Sequence, residues 1–343
     1  MFHRILVPLD GSERAERALP VAARLARASH GVLIVAQILN MDNMLYIAPE
    51  MMISESVVQG ECDSTNQYLT LATAPFRQDG LSVEQIVMFG TPDSLLLSII
   101  ESHNIDLVVM GSHGRTGFTR WALGSIAEKI ARYSPVPVLV LREHGPTPTT
   151  PHLDPICPLR VLVPLDGSTH AKAAIAPAAN LIAALATPER GALHLTRIVQ
   201  PTEGNLGKHS QRTNEIMQKV KHSLQKTVEN VREGFEAPSV APLDLRITYS
   251  VTLDADVAHA IIRVAENGED AEGTGVIGGS DVIAMATHGH TGLNHLAMGS
   301  ITERVLHATQ LPMLIVRIPH KVAHKTTDEK LQTGSKHSAP LSL

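Results

Sequence analysis

The chain has 343 residues, of which 43% are hydrophobic and 18% charged, with a formal net charge of −5. That length suits two domains of about 150 residues, and the acidic balance, without a dense Lys/Arg run, argues against a nucleic-acid partner. No apolar run approaches the roughly 18 residues of a membrane span, and Cys62 and Cys157 have neither metal nor disulfide-framework spacing.

Met1 leads straight into ILVPL and Asp10, which leaves no room for a signal-peptide core, so the expectation is a cytoplasmic protein without a membrane partner. The spacing predicts a strand over RILVPL (4–9), broken by Asp10-Gly11-Ser12, with Ser12 placed to cap the following helix. Ala15, Ala18, Leu19, Ala22, Leu25 and Ala26 recur at helical spacing, and Gly31 stops that helix. VLIVAQIL (32–39) reads as a second buried strand. From Asn40 to Pro75 the pattern is looser, with a helix in its latter two thirds; Met41, Met44, Met51 and Met52 read as adaptable core filling.

SVEQIVMF (82–89) is a third strand, and Pro92 opens a helix running through Ile100. DLVVM (106–110) is a fourth strand, followed by a loop rich in glycine and a helix over 125–133 that Ser125 and Glu128 would open as a capping box. PVLVLR (137–142) is a fifth. Strands alternating with crossover-length helices predict an open parallel α/β sheet with helices on both faces.

Four prolines in GPTPTTPHLDP (145–155) make a semi-extended spacer. RVLVPLDGS (160–168) then repeats RILVPLDGS (4–12), and the Gly-Ser pair at 124–125 returns at 299–300. Such a duplication predicts two copies of one domain, over 1–143 and 157–318, with a Pro-rich linker at 144–156 and a disordered tail at 319–343. Two places absorb the greater length of the second half. One is a polar helix from about Gly207 to Gly234, the other a glycine-rich surface loop over 266–280.

In open α/β sheets, ligands bind beyond the carboxyl ends of the strands where the order reverses. If the strand order in each five-stranded sheet is 3-2-1-4-5, Asp10-Gly11 at the end of strand one would face the glycine loop after strand four. A carboxylate on one wall accepts hydrogen bonds from a ribose or base. Exposed amides and the positive end of a helix dipole on the other hold phosphates. Taken singly, the pieces have plainer readings. Asp10 and Asp166 serve as turn residues, Ser125 and Ser300 as helix caps, and Gly124 and Gly299 as turns into a helix.

In this order and spacing, the motifs resemble the universal stress protein family, as two such domains in one chain with a Rossmann-like, adenine nucleotide alpha hydrolase-like fold. Nucleotide-binding members share a signature of Gly, two residues, Gly, nine residues, then Gly-Ser or Gly-Thr. Gly111, Gly114, Gly124 and Ser125 match it in full; Gly289, Gly299 and Ser300 match it in part, with Ala286 at the first position. The resemblance implies that Asp10 and Asp166 contact the adenosine of ATP or a related adenine nucleotide, with Mg as an optional companion. Backbone at Ile38 and Ile198 would meet the adenine, and the glycine loop with Ser125 or Ser300 would hold phosphates. Pro8, Met110, Ile126 and Pro164 belong to the same implied lining. The resemblance further implies pairing through the last strand, here as an intramolecular pseudo-dimer with homodimer formation as an extension; PVLVLR and LPMLIVRI are apolar edges that need covering.

Arg115 and Arg120 are candidates for phosphate pairing or for plain solvated loop positions. Trp121 reads as cover for a sheet edge or interface rather than a platform for a base. His288, His290 and His295 cluster in the second loop but have no Cys or carboxylate at ligand spacing, so no metal site is expected. Three functions compete: a nucleotide-binding stress-response module with its better site in the first domain, a slow ATPase, and a ligand-free scaffold. Ala286 places a methyl where close approach to a phosphate, or positive φ, is expected, which ranks the second site lower. Absence of a Gly-Lys-Ser/Thr ending weighs against the enzyme, for which His113 or His288 would have to act as base.

Overall fold

Short apolar runs make the strands here, and amphipathic stretches cover them. The computed structural model describes residues 1–40, 55–114, 123–143, 145–148, 159–186, 191–201, 211–243, 245–287 and 298–317. The first half comprises β1 (Arg4–Leu9), α1 (Glu13–Glu16), α2 (Ala18–Ala28), β2 (Val32–Leu39), α3 (Glu55–Gln78), β3 (Ser82–Phe89), α4 (Pro92–Ser102), β4 (Leu107–Gly111), α5 (Ser125–Tyr133) and β5 (Val138–Leu141). The second comprises β6 (Arg160–Pro164), α6 (Thr169–Lys172), α7 (Ile175–Leu185), β7 (Ala192–Val199), α8 (Gln211–Arg232) and β8 (Arg246–Leu253). It continues through α9 (Val257–Asn267), β9 (Glu269–Ala271), β10 (Gly275–Ile277), β11 (Val282–Ala286), α10 (Ser300–Ala308) and β12 (Met313–Val316).

The strand order is β3-β2-β1-β4-β5-β12-β11-β6-β7-β8. Each half is parallel with the expected order 3-2-1-4-5. The two five-stranded sheets are continuous because β5 and β12 pair antiparallel, Val140 opposite Met313 and Val138 opposite Ile315. Both strands are buried throughout, so each apolar edge covers the other. Side chains alternate between two cores that run through both halves. Ile5, Val7, Leu33 and Val35 face α2 and its counterpart α7, while Leu6, Ile34 and Val108 face α4 and α5. The Asp before each fourth strand ties that strand to the start of the sheet. Asp106 accepts from the amides of His3 and Arg4, and Asp281 from that of Arg160.

Three elements differ from the sequence expectation. The helix after β1 is interrupted at Arg17, which keeps near-helical dihedrals (φ −59°, ψ −19°) between α1 and α2. Pro20 has no N–H to give the carbonyl of Glu16, four residues back; Pro177 breaks the ladder between α6 and α7 in the same way. The stretch 266–280, expected as a loop, folds into the antiparallel β9–β10 hairpin, with Gly273 in its turn and Gly275 at the start of β10 both at positive φ (71° and 81°). The capping box also fails: the N-cap of α5 is Gly124 and that of α10 is Gly299, so Ser125 and Ser300 are the first helical residues. Met41, Met44, Met51, Met52, the spacer from 149 to 158 and the tail beyond 317 lie outside the described residues.

Candidate functional site

β1 ends in Pro8-Leu9 before Asp10, β4 ends in Met110-Gly111, and α5 starts at Ser125. Adjacency of β2, β1 and β4 brings these ends together at the carboxyl edge of the sheet. They surround a cavity of about 520 Å³, a volume usual for a small-molecule site. Every residue expected in the first half lines it: Pro8, Asp10, Ile38, Met110, Gly111, Gly114, Gly124, Ser125 and Ile126.

Asp10 performs its turn role, since Oδ1 accepts from the amide (3.1 Å) and hydroxyl (2.6 Å) of Ser12. Its other oxygen lies directly beneath the glycine loop. A Cβ built on Gly114 would sit 2.1 Å from Asp10 Oδ2, closer than any side chain permits. The acidic wall and the amide-lined wall therefore touch, and glycine at 114 is what lets them.

Space, not left-handed backbone, explains the loop glycines. Gly124 is extended (φ −63°, ψ 146°), a conformation any residue adopts. Its amide donates to Ser112 O at 2.8 Å, and a Cβ there would lie 3.3 Å from the same oxygen. Gly111 is a strand residue without positive φ, so close approach alone accounts for it; an added methyl would meet Arg14 O at 3.2 Å. Because Gly124 is the N-cap, the amides of Ser125, Ile126 and Ala127 are the unpaired first amides of α5, and all three residues line the cavity. Such a terminus attracts an anion through those donors and the helix dipole.

Sequence reasoning missed part of the lining. Ala36, Phe89 and Leu96 supply apolar wall from the ends of β2 and β3 and from α4. For Ala36 and Phe89 the one signal was position, near strand ends facing the crevice; Leu96, inside α4, had none. Gln37 and His113 also line the cavity, and Gln37 Oε1 and His113 Nε2 are buried without a hydrogen-bond partner among the described residues. His113 Nδ1 is 3.1 Å from Ser112 Oγ. Desolvation holds the His113 pKa below its ordinary value, with the Glu143 charge opposing and the Arg142 and Arg14 charges assisting. The imidazole is thus neutral at neutral pH and has an unused nitrogen. Arg142, buried and pulled down to about 10 by desolvation, remains a cation at that pH.

The second half keeps the scaffold and changes the fittings. Pro164 ends β6, Ile198 lies near the end of β7, and Ser300 starts α10 after Gly299. Asp166 repeats the turn, accepting from the amide and hydroxyl of Ser168 at 2.8 and 2.6 Å. Arg197, at the position of Gln37, lays its guanidinium over that turn, with Nη1 2.7 Å from where a Cβ on Gly167 would be; the corresponding approach of Gln37 to Gly11 is 4.0 Å. Ala286 is buried at the end of β11, and its carbonyl accepts from Thr302 Oγ1 at 2.9 Å. Gly289, His288, His290 and His295, like Arg115, Arg120 and Trp121 of the first loop, lie outside the described residues.

Among the described residues, Glu128, Glu303 and His307 form one group with ligand atoms within 4.8 Å of one another. Arg132 donates to both glutamates, at 3.1 and 2.8 Å, and already supplies the cation there. No helix among the described residues is long and apolar enough to cross a membrane.

Known proteins place this geometry in context. The sequence model of the Universal stress protein family matches residues 1–142 and 159–317. The universal stress protein Rv2005c of Mycobacterium tuberculosis is 24% identical over 327 residues, covering 92% of this chain and 97% of that protein. YxiE of Bacillus subtilis is 28% identical over 151 residues, covering 41% of this chain and all of the relative (100%). In fold, the chain is similar to the crystal structure of a universal stress protein from Archaeoglobus fulgidus, with a TM-score of 0.60 at 17% identity, covering 92% of this chain and 98% of that one. Two family matches in tandem, joined to the repeated Asp-Gly-Ser turn and glycine loop, identify the chain as a member of the universal stress protein family.

Proposed function

We propose that the first half, taken as a domain over 1–143, binds ATP or a related adenine nucleotide as a regulatory ligand. The observation that carries this reading is the contact between Asp10 and Gly114 at the floor of a cavity of about 520 Å³, whose far wall is the N-terminus of α5. The carboxylate takes the ribose, the backbone at Ile38 the base, and the amides of Ser125 to Ala127 the phosphates, with Mg accompanying a triphosphate. The domain over 157–318 carries a weaker site, because a guanidinium lies over its Asp-Gly turn. The halves act as a pseudo-dimer through β5 and β12, in a stress-response role.

Titration calorimetry on the full chain tests this. ATP binding with one strong site, weakened about 10- to 100-fold by Asp10→Ala and much less by Asp166→Ala, is the expected result. Binding unaffected by Asp10→Ala, or lost equally with Asp166→Ala, overturns it. Turnover is a second reading, favoured by the unpartnered nitrogen of the neutral His113 beside the loop. Phosphate release that depends on His113 would move the nucleotide from ligand to substrate.

A further inference from the structure

The β9–β10 hairpin has no counterpart in the first half, and the sheet beneath it is rebuilt to match. In the first half, β2 and β3 present Ile34, Ala36, Ile86 and Met88 on the face toward α4, and Glu84 is opposite Ile34. The same register positions in β7 and β8 are His194, Thr196, Ser250, Thr252 and Thr248. His194 and Ser250 are each 1% exposed, and Thr196 is 0% exposed, so these polar groups are sealed in.

One residue of the hairpin engages most of them. Glu269 Oε1 lies 3.2 Å from His194 Nε2 and accepts from Thr196 Oγ1 at 3.0 Å; Ser250 Oγ also reaches it. Oε2 accepts from Thr252 Oγ1 at 2.5 Å. Thr248 Oγ1 completes the set, 2.8 Å from His194 Nδ1. Ser, His and Glu together suggest a nucleophilic triad, but the geometry excludes one. Ser250 and Glu269 both meet Nε2, whereas a triad places its carboxylate on Nδ1.

The hairpin also closes an edge. β8 ends the sheet on this side, and an outer strand presents unpaired backbone groups. The amide of Glu272 donates to Tyr249 O at 2.9 Å, and the Glu272 carboxylate pairs with Lys221 of α8 at 2.6 Å. At the turn, Gly273 and Gly275 would meet nothing within 4 Å if given a Cβ, and Val276 is 85% exposed.

We propose that the β9–β10 hairpin is a latch over the outer strand of the second half, with Glu269 as its catch. An apolar interface resists opening because it exposes apolar surface to water. Here the closed surface is largely hydroxyls, an imidazole and a carboxylate, each of which water can satisfy, with Ala271 and Ile277 as the hairpin's buried apolar side chains, so the hairpin opens without unfolding the sheet. Opening frees Tyr249 O on the outer edge of β8, while Ile247 O stays held by Arg232 of α8. This holds whether or not either crevice binds a nucleotide.

Hydrogen–deuterium exchange on the full chain, read by mass spectrometry, tests the latch. In Glu269→Ala, peptides spanning 246–277 should exchange on the order of tenfold faster or more, with peptides from β1, β2 and β4 unchanged. Thr252→Val removes a single donor and should give a smaller acceleration confined to the same peptides, and it decides the matter alone should Glu269→Ala fail to fold. Acceleration spread evenly over both halves would make the cluster an ordinary part of the core and overturn the proposal. No acceleration in 246–277 would overturn it too.

Discussion

Among the described residues, the two crevices share a turn, a strand register and a helix N-cap, and differ in a handful of side chains. Both have an Asp-Gly-Ser turn with the Asp holding the Ser amide and hydroxyl, and both have an extended glycine as the N-cap of the following helix. In the first, Gln37 stands back from the turn; in the second, Arg197 covers it. In the first, the strand before the loop ends in Gly111; in the second it ends in Ala286, whose carbonyl is tied to Thr302. Duplication preserved what the sheet needs, namely the turn, the strand register and the N-cap. What varies is the side chain over the turn and the residue that ends the strand before the loop. A repeat can therefore keep its fold in both copies while the side chain over the Asp-Gly turn differs between them.

The largest expected effect comes from closing the gap in the first crevice. Gly114→Ala puts a methyl at 2.1 Å from Asp10 Oδ2, so the loop or the carboxylate must move. Nucleotide affinity should fall about 10- to 100-fold, and stability by about 1–3 kcal/mol, as is usual for an overpacked position. Calorimetry and thermal melts read both. Retention of full affinity would mean that the contact of the two walls has no part in binding.

Arg197→Gln asks the reverse question, giving the second crevice the first one's residue. Removal of the guanidinium from the Gly167 turn should tighten nucleotide binding at the second site by roughly tenfold, or about 1.4 kcal/mol. Stoichiometry in calorimetry with Asp10→Ala in the background isolates that site. Weakening instead of tightening would reclassify Arg197 as a ligand contact.

The smallest effect separates the halves by acid. Burial works to raise the pKa of Glu269, but hydrogen bonds from His194, Ser250 and Thr252, with the His194 charge, leave it below the ordinary value. A folded value below the unfolded one contributes stability that is complete above the usual glutamate pKa of about 4.3 and is lost as pH falls through the folded value. The melting difference between the native chain and Glu269→Gln should thus be widest near neutral pH and shrink progressively below about pH 4.3. A difference that stays constant down to the acid limb would remove the carboxylate's charge from the account.

Much of the architecture was legible in the chain alone. Apolar runs of strand length, Asp-Gly-Ser breaks and the repeated nonapeptide located the strands and the motifs at their ends, because period and punctuation are local properties. The order 3-2-1-4-5, which makes those motifs face each other, is only a premise in the sequence and is supplied by the sheet. Helix details were read less well. Ser125 looked like a cap because Ser-x-x-Glu is a capping pattern, but the loop delivers Gly124 to the cap position instead. Pro20 and Pro177 were visible, yet their effect falls four residues upstream.

Sequence by itself determined the doubled α/β plan, since alternation of strands and helices leaves few ways to wind a parallel sheet. Tertiary structure alone decided that Gly114 is needed for space above Asp10, that Arg197 lies over the second turn, and that Glu269 fastens a hairpin to His194. These partners are far apart along the chain. Their contacts arise only when packing fixes where each side chain points, and no local pattern encodes that direction.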